Sequence, residues 1–375
     1  MAGSNPIIIS IFILYCIIVF TIGLWAKKST NTMAEFFVSK RDFGVLATGV
    51  TYYATAQSSS AFLGMVGWAY AFGWASSNYV SVPIAVGGFL TWALLSWRIK
   101  DLSSKIQGLT VPDLIYWRFP MKSVRLVALL IIIIAYIPMM TAQIRGVGFL
   151  FQSIISDISF GWAAFIGTVI VLIYVMLGGM KAAAYTSVLQ GFFMIFSVVV
   201  LTVASLSAVG GFTEMNLQAA AIDPGYTGLT GVGGSWGPMY SLSFILLFLL
   251  SPLGQPAYLA KFFAMKDLNV ARLAMPISYT FVLIASFAFP IIGLCARILY
   301  PDLPNPDAAY TVITTSLLHP VLAGIVLVSL FAAVMSTIDA ILLTITSAFV
   351  RDLYEQVLGK TPGSKTLLRT SVVVT

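Results

Sequence analysis

Apolar residues run along this chain in long stretches separated by short polar segments. The stretches fall near 6–26, 44–72, 78–97, 124–151, 159–178, 184–209, 238–260, 273–299 and 320–350. About 20 apolar residues in a helix, rising roughly 1.5 Å each, cross the roughly 30 Å of bilayer hydrocarbon. The pattern therefore predicts an all-α polytopic membrane protein with nine spans. A tenth span is expected to start at Leu367, where the sequence stops as if cut inside a helix. The first stretch has neither a basic leader nor a small-residue cleavage site, so it is read as a retained helix.

Composition sharpens this picture. Hydrophobic residues make up 59% of the 375 and charged residues 9%, against about 25% charged in an ordinary soluble domain. That excludes a soluble enzyme, a disordered chain and a nucleic-acid binder, and makes the lipid bilayer the surrounding medium. The net charge of +7 is spread unevenly. If the loops alternate sides, segments 27–43, 98–125, 181, 261–272 and 351–369 lie together and hold 18 of the 20 Lys and Arg. The other side holds Arg297 with Asp157, Glu214, Asp223, Asp302 and Asp307. Basic residues collect in cytoplasmic loops, so the N-terminus is expected outside and the chain in the cell membrane. The longest connection, about 210–237, is glycine-rich and is read as an extracellular loop with a short helix near 212–221. Cys16 and Cys295 lie in separate apolar runs and His319 is alone, so no disulfide framework or metal-ligand spacing arises.

Polar groups inside the spans carry the functional information, because a charge at mid-membrane is costly and usually faces a cavity or a partner. The second span contains a polar run, residues 51–60, followed by Gly64, Gly67 and Gly73. It fits a broken helix whose freed carbonyls line a site, and equally a close helix–helix seam of small residues. In the ninth span Ser336, Thr337 and Asp339 fall within one turn. They offer hard oxygen ligands to a cation, or a hydrogen-bond partner to a neighbouring helix. Arg145, within the fourth span, has three readings: it snorkels to an interface, pairs with Asp339, or holds an anionic substrate through its guanidinium fork.

At this point the residues resemble a known family. The run Ala332-Ala-Val-Met-Ser-Thr-Ile-Asp339, continuing through Leu342 and Ser347 to Asp352-Leu-Tyr354, is similar to the ninth helix of the sodium:solute symporter family. Gly178-Gly-Met-Lys-Ala-Ala-Ala-Tyr-Thr-Ser-Val-Leu-Gln190 resembles its Gly-Gly signature, and Thr110-Val-Pro-Asp113 with Arg118 and Phe119 resembles its loop before the fourth helix. The runs Ser39-Lys-Arg-Asp-Phe-Gly44 and Gly254-Gln-Pro256, with Lys261 and Phe262, match further family segments in order. The resemblance implies a LeuT-type inverted-repeat bundle in one transporter domain, 1–375. It would comprise an extra first helix (6–26), a first repeat (44–209) and an incomplete second repeat (238–375), with the chain truncated before that repeat ends.

The resemblance also implies sites. The family's shared sodium site would take backbone oxygens from Ala54, Gln57 and Ala333 and hydroxyls from Ser336 and Thr337. Some members place an aspartate after the Gly-Gly signature; here Thr186 and Ser187 stand instead. With Asp339 facing them, these residues form an expected second cation or proton site. Substrate-lining positions carried over are Ser58, Ser59, Tyr79, Arg145, Phe248, Pro252 and Gln255. The expected activity is sodium-coupled import of a small organic solute, carboxylate-bearing in the monocarboxylate, pantothenate or amino-acid manner, by alternating access. The alternatives are a proton-coupled carrier of the same fold, or a sensor whose signalling module lies outside this sequence. No constellation supports an enzyme, and no obligate protein partner is inferred.

Overall fold

The computed structural model describes residues 5–27, 39, 41–155, 157–175 and 179–359. Among them, seven helices are long and apolar enough to cross a membrane, and extended pairing is confined to one bridge between Phe43 and Met265. The expected tenth span at Leu367 lies outside the described residues, as does Gly178 of the Gly-Gly signature.

The first helix, α1 (Pro6–Lys27), shows how lipid and protein faces separate. Ile8, Phe12, Tyr15 and Val19 recur at helical spacing and are buried. They face α14 (Pro320–Val357) and α8 (Gly179–Val209). Ile13, Leu14, Ile17, Ile18 and Trp25 on the other side are exposed, as suits a helix against hydrocarbon. The main part of α14, Pro320–Ser347, is buried on nearly every side because it is the centre of the bundle, packed by α1, α6 (Lys122–Ile154) and α8.

The second apolar stretch is not one helix. It divides into α2 (Val45–Ala56) and α3 (Ser60–Phe72), with Gln57 and Ser58 outside either. The broken-helix reading therefore holds. Gly73 then turns the chain with φ +69 while the backbone of Tyr226 lies against it, a conformation and a clearance suited to glycine. α4 (Trp74–Ile106) is longer at both ends than its apolar run and contains wide turns at Ser77–Ser81 and Trp92–Ser96. A short helix, α5 (Val111–Arg118), capped by Thr110, precedes α6. The fifth stretch gives α7 (Phe160–Val175), and the expected loop helix is present as α9 (Phe212–Ile222).

A second interruption divides the seventh stretch. α10 (Pro238–Gly254) ends at Gln255, whose ψ of 107 leaves the helix, and α11 (Pro256–Ala264) follows. The first free amide of α11, at Ala257, donates to the Tyr136 hydroxyl at 2.9 Å. α12 (Leu268–Leu299) starts behind Asp267, which caps the amides of Asn269 and Val270, and packs along α2 and α3. α13 (Ala309–Leu317) joins α12 to α14 and was not foreseen from the apolar pattern.

The basic end of the bundle is closed by a buried ion cluster. Arg125 donates to Asp113 and Asp352, each at 2.9 Å, and its guanidinium lies 4.5 Å from the centre of the Tyr116 ring. Thr110 donates to Asp352 at 3.2 Å, and Asp113 accepts the amide of Leu109 at 2.9 Å. These residues tie α5, α6 and the last turns of α14 together. Several come from the runs that carry the family resemblance, so here those runs do structural work. Beside the cluster, Lys100 on α4 is buried and donates to the Met265 carbonyl.

Removing one member of a buried ion network strands the others, at a cost of roughly 3–5 kcal/mol. Arg125→Ala should therefore lower the thermal unfolding temperature of the detergent-solubilised protein sharply. Lys105→Ala, which removes an exposed pair with Asp101, should cost less than about 1 kcal/mol. Equal melting of the two variants would show that the cluster does not hold this end together.

Candidate functional site

The break between α2 and α3 leaves backbone groups without helical partners in the middle of an apolar bundle, where water cannot serve them. Side chains from two other helices replace the missing bonds. From α14, Ser336 Oγ donates to the Ala54 carbonyl at 2.8 Å and lies 3.1 Å from the Ala333 carbonyl. Thr337 Oγ1 donates to Ala333 at 2.9 Å. From α6, Gln143 Oε1 accepts the Ser59 amide at 3.1 Å and the Ser59 hydroxyl at 2.9 Å. The Ser59 hydroxyl also lies 3.1 Å from the Ala142 carbonyl. Gln143 is fully buried and in turn donates to Met139. The sequence reading did not select Gln143; a lone amide among apolar residues was the available signal.

Ala54, Ala333, Ser336 and Thr337 thus come together directly, and Gln57 lies in the break beside them. Gln57 is buried and its Oε1 accepts no hydrogen bond among the described residues. Carbonyl and hydroxyl oxygens are the donors that hard cations prefer, so this set is chemically suited to sodium. Gly146 lets α6 approach: a Cβ there would fall inside the Ser59 side chain.

Next to the break is a cavity of about 520 Å³. Ser58, Ser59, Arg145, Phe248 and Gln255 line it, as does Tyr258 at its floor. Tyr258 belongs to an aromatic layer with Tyr52, Trp92 and Phe262, centroids 4.9 to 5.7 Å apart, which fills the space towards the basic end. At that end a space of about 20 Å³ lies between Thr110, Pro256 and Ser347, and a separate cavity of about 370 Å³ lies between Phe43, Ala47 and Ala184. The main cavity instead reaches Asp307, on the connection before α13.

Two of the carried-over positions stand apart from this lining. Tyr79 lies in the wide turn Ser77–Ser81 and stacks on Trp236 at 5.3 Å. Pro252 is buried against Gly87 of α4, where α4 and α10 cross closely. Phe248 ends an aromatic stripe at four-residue spacing, Trp236, Tyr240, Phe244 and Phe248, with Trp68 of α3 packed 5.7 Å from Phe244 and 6.0 Å from Phe248. Trp68 also lines the cavity, a residue the sequence reading did not select.

The interior charges sort differently from the simplest expectation. Arg145 does not pair with Asp339; its Nη2 lies 3.2 Å from Asp307 Oδ2 at the cavity mouth. Asp339 is buried on α14, and the Lys261 ammonium is within its electrostatic reach. Lys261, counted with a loop in the sequence reading, is fully buried in α11. On α8, which packs against α14, Thr186 Oγ1 donates to the Ala182 carbonyl at 2.9 Å, and the buried Ser187 hydroxyl has no hydrogen-bond partner among the described residues.

The model of the sodium:solute symporter family matches residues 36–375. The chain belongs to the sodium:solute symporter family. It is a multi-pass cell-membrane protein and a transporter rather than an enzyme. It is 29% identical to the sodium/pantothenate symporter of Haemophilus influenzae over 91% of this chain and 71% of that one. It is 26% identical to the sodium/proline symporter of Escherichia coli over 98% of this chain and 74% of that one. Among solved structures, the substrate-bound, outward-open Na+-coupled sialic acid symporter superposes with a TM-score of 0.84 at 17% identity, covering 99% of this chain and 80% of that one. This family member therefore has the LeuT-type fold.

The close approach at Gly146 is testable by itself. Gly146→Ala should force the Ser59 segment to move and destabilise the protein by about 1–3 kcal/mol. Gly88→Ala, on α4 with open space around a Cβ, should be neutral or slightly stabilising. A Gly146→Ala melting curve matching that of Gly88→Ala would disprove the packing.

Proposed function

We propose that this protein imports a small carboxylate-bearing organic solute together with sodium by alternating access. The observation that carries the proposal is the Ser336–Ala54 contact across the helix break, because it gathers the oxygen donors of one ion site from two helices. Sodium at Ala54, Gln57, Ala333, Ser336 and Thr337 would hold α2 and α14 together, and the ion's preference for that arrangement would bias the conformational equilibrium. Inward movement of each positive charge is favoured by about 2.3 kcal/mol per 100 mV.

The polarity follows from the charge sorting. On this reading the basic end is cytoplasmic and the N-terminus is outside. The helix breaks then open two inverted sets of spans, 44–209 and 238–375, behind the extra helix 6–26, in the manner of folds that bind substrate at paired discontinuous helices. With the 520 Å³ cavity reaching Asp307, on the side away from the Arg125 cluster, the conformation would be outward-open. Ser58, Ser59, Phe248 and Gln255 would surround the solute, and Arg145 would take its carboxylate through a charge-assisted fork. Tyr79 and Pro252 would support that wall from behind rather than touch the solute.

A second ion reading is supported by the burial of Asp339 and Lys261 in mutual reach. Thr186, Ser187 and Asp339 would form a further cation or proton site between α8 and α14. In that case a proton would join or replace the second ion.

Thermal unfolding in sodium and in potassium, at equal ionic strength, tests the main site. A ligand at 100 times its dissociation constant adds about 2.7 kcal/mol. The wild-type protein should gain a sodium-specific rise in unfolding temperature, and Ser336→Ala should lose it. An equal response of both proteins to both ions would remove the sodium assignment. For the solute, Arg145→Gln should abolish uptake while leaving the sodium-specific rise in place; unchanged uptake would remove the carboxylate role.

A further inference from the structure

The cavity is lined by two charged residues of opposite sign, Arg145 and Asp307, among those described. They meet at 3.2 Å, with the Arg145 side chain well exposed and that of Asp307 about one-third exposed. Asp307 is not a wandering surface side chain. Its amide donates to Asn305 Oδ1 at 3.0 Å, and the short turn Pro306–Ala308 that carries it packs on α3, where Pro306 lies so close to Gly67 that a Cβ would touch it. Arg145 is equally placed, one turn beyond Ala142 and Gln143, which hold the Ser59 segment. The backbone that presents each charge is therefore held at the cavity, one on α6 and one on the connection before α13.

A carboxylate beside the guanidinium changes what the cavity can accept. A simple anion on Arg145 would displace Asp307 and then lie against it, like charge to like charge. A simple cation on Asp307 would meet Arg145 in the same way. A zwitterion avoids both penalties. Its carboxylate takes Arg145, its ammonium takes Asp307, and each half of the existing pair is replaced by a new charge-assisted contact. An exposed ion pair contributes little to stability, so opening it is cheap. Trp68, Phe248 and Tyr258, which also line the cavity, offer an apolar surface to a side chain.

We propose that Arg145 and Asp307 form a dipolar recognition site that selects zwitterionic, amino-acid-type solutes over plain carboxylates. This rests on the reading that Arg145 lines the substrate cavity, and it assigns Asp307 as the group that discriminates between charge types.

The test uses the purified full-length protein in sodium, with thermal unfolding as the binding readout. The probes are the protein amino acids, each compared with its deaminated acid and its decarboxylated amine, plus pantothenate as a carboxylate without an ammonium. At least one amino acid should stabilise the wild type, with its deaminated acid and amine binding at least tenfold more weakly. Asp307→Asn should weaken that amino acid at least tenfold and narrow its advantage over the acid. Arg145→Gln should remove both. The wild-type comparison stands without any variant, so a misfolded Asp307→Asn leaves the proposal exposed. It is overturned if a deaminated acid or pantothenate binds as tightly as any amino acid, or if no amino acid binds while the sodium response persists. If Arg145→Gln abolishes binding and Asp307→Asn does not alter it, the zwitterion inference falls and the carboxylate cavity survives. If neither substitution alters binding, both fall.

Discussion

The structure depends on one interruption, the two residues Gln57 and Ser58 that separate α2 from α3. A helix that stops inside hydrocarbon exposes amides and carbonyls whose desolvation is costly unless other protein groups serve them. Here α14 serves the Ala54 carbonyl through Ser336, and α6 serves the Ser59 amide and hydroxyl through Gln143. The break is thus a knot in which three parts of the chain, far apart in sequence, satisfy one another. It is also what makes oxygen ligands available at that depth: the carbonyls that no longer bond along the helix face outward, beside two hydroxyls.

Around that knot the charges occupy separate tiers. At the basic end Arg125, Asp113 and Asp352 are buried and mutually paired, which fastens three helices. At the other end Arg145 and Asp307 are exposed and held by one contact at 3.2 Å. The same kinds of group therefore do different work according to burial. Deep pairs cannot be opened without stranding a charge, whereas a wetted pair exchanges partners readily. A cavity mouth built from the second kind, above an aromatic floor of Tyr52, Tyr258 and Phe262, can admit a charged solute without unlocking the opposite end.

Much of this was legible in the sequence. The apolar stretches located the long helices because burial in lipid demands unbroken hydrophobicity, and residues 51–60 and 336–339 stood out because polar groups there need a reason. What escaped has physical causes. Lys261 was assigned to a loop because a charge next to Met265, Lys266 and Asp267 reads as an end of a span, yet packing carries it fully inside. Tyr79 was carried over as a lining residue from the family resemblance, but it lies in the wide turn Ser77–Ser81 and its ring meets Trp236 instead. Asp307 looked like an ordinary loop acid; its pairing with Arg145 spans 162 positions, and no local pattern in a single sequence encodes such a contact.

The break also offers a physical route for coupling two ligands. Ala54 and Gln57 present their carbonyls on one side of it, and Ser58, Ser59 and Ser60 line the cavity immediately after. A solute resting on those serines and a cation held by those carbonyls would order the same short piece of backbone. Whichever bound first would bear the larger share of the entropy of ordering, and the second would bind more tightly for it. By linkage the effect is reciprocal: solute would raise the affinity for the ion by the same factor that the ion raises it for solute. No relay across the protein is required, because the two sites share a segment. Gln143 would set the strength of such a coupling. The more firmly its amide fixes Ser59 beforehand, the less disorder remains for either ligand to remove, so a site designed to couple its ligands must leave part of the break unsatisfied. The buried Oε1 of Gln57, which accepts no hydrogen bond among the described residues, is such a part.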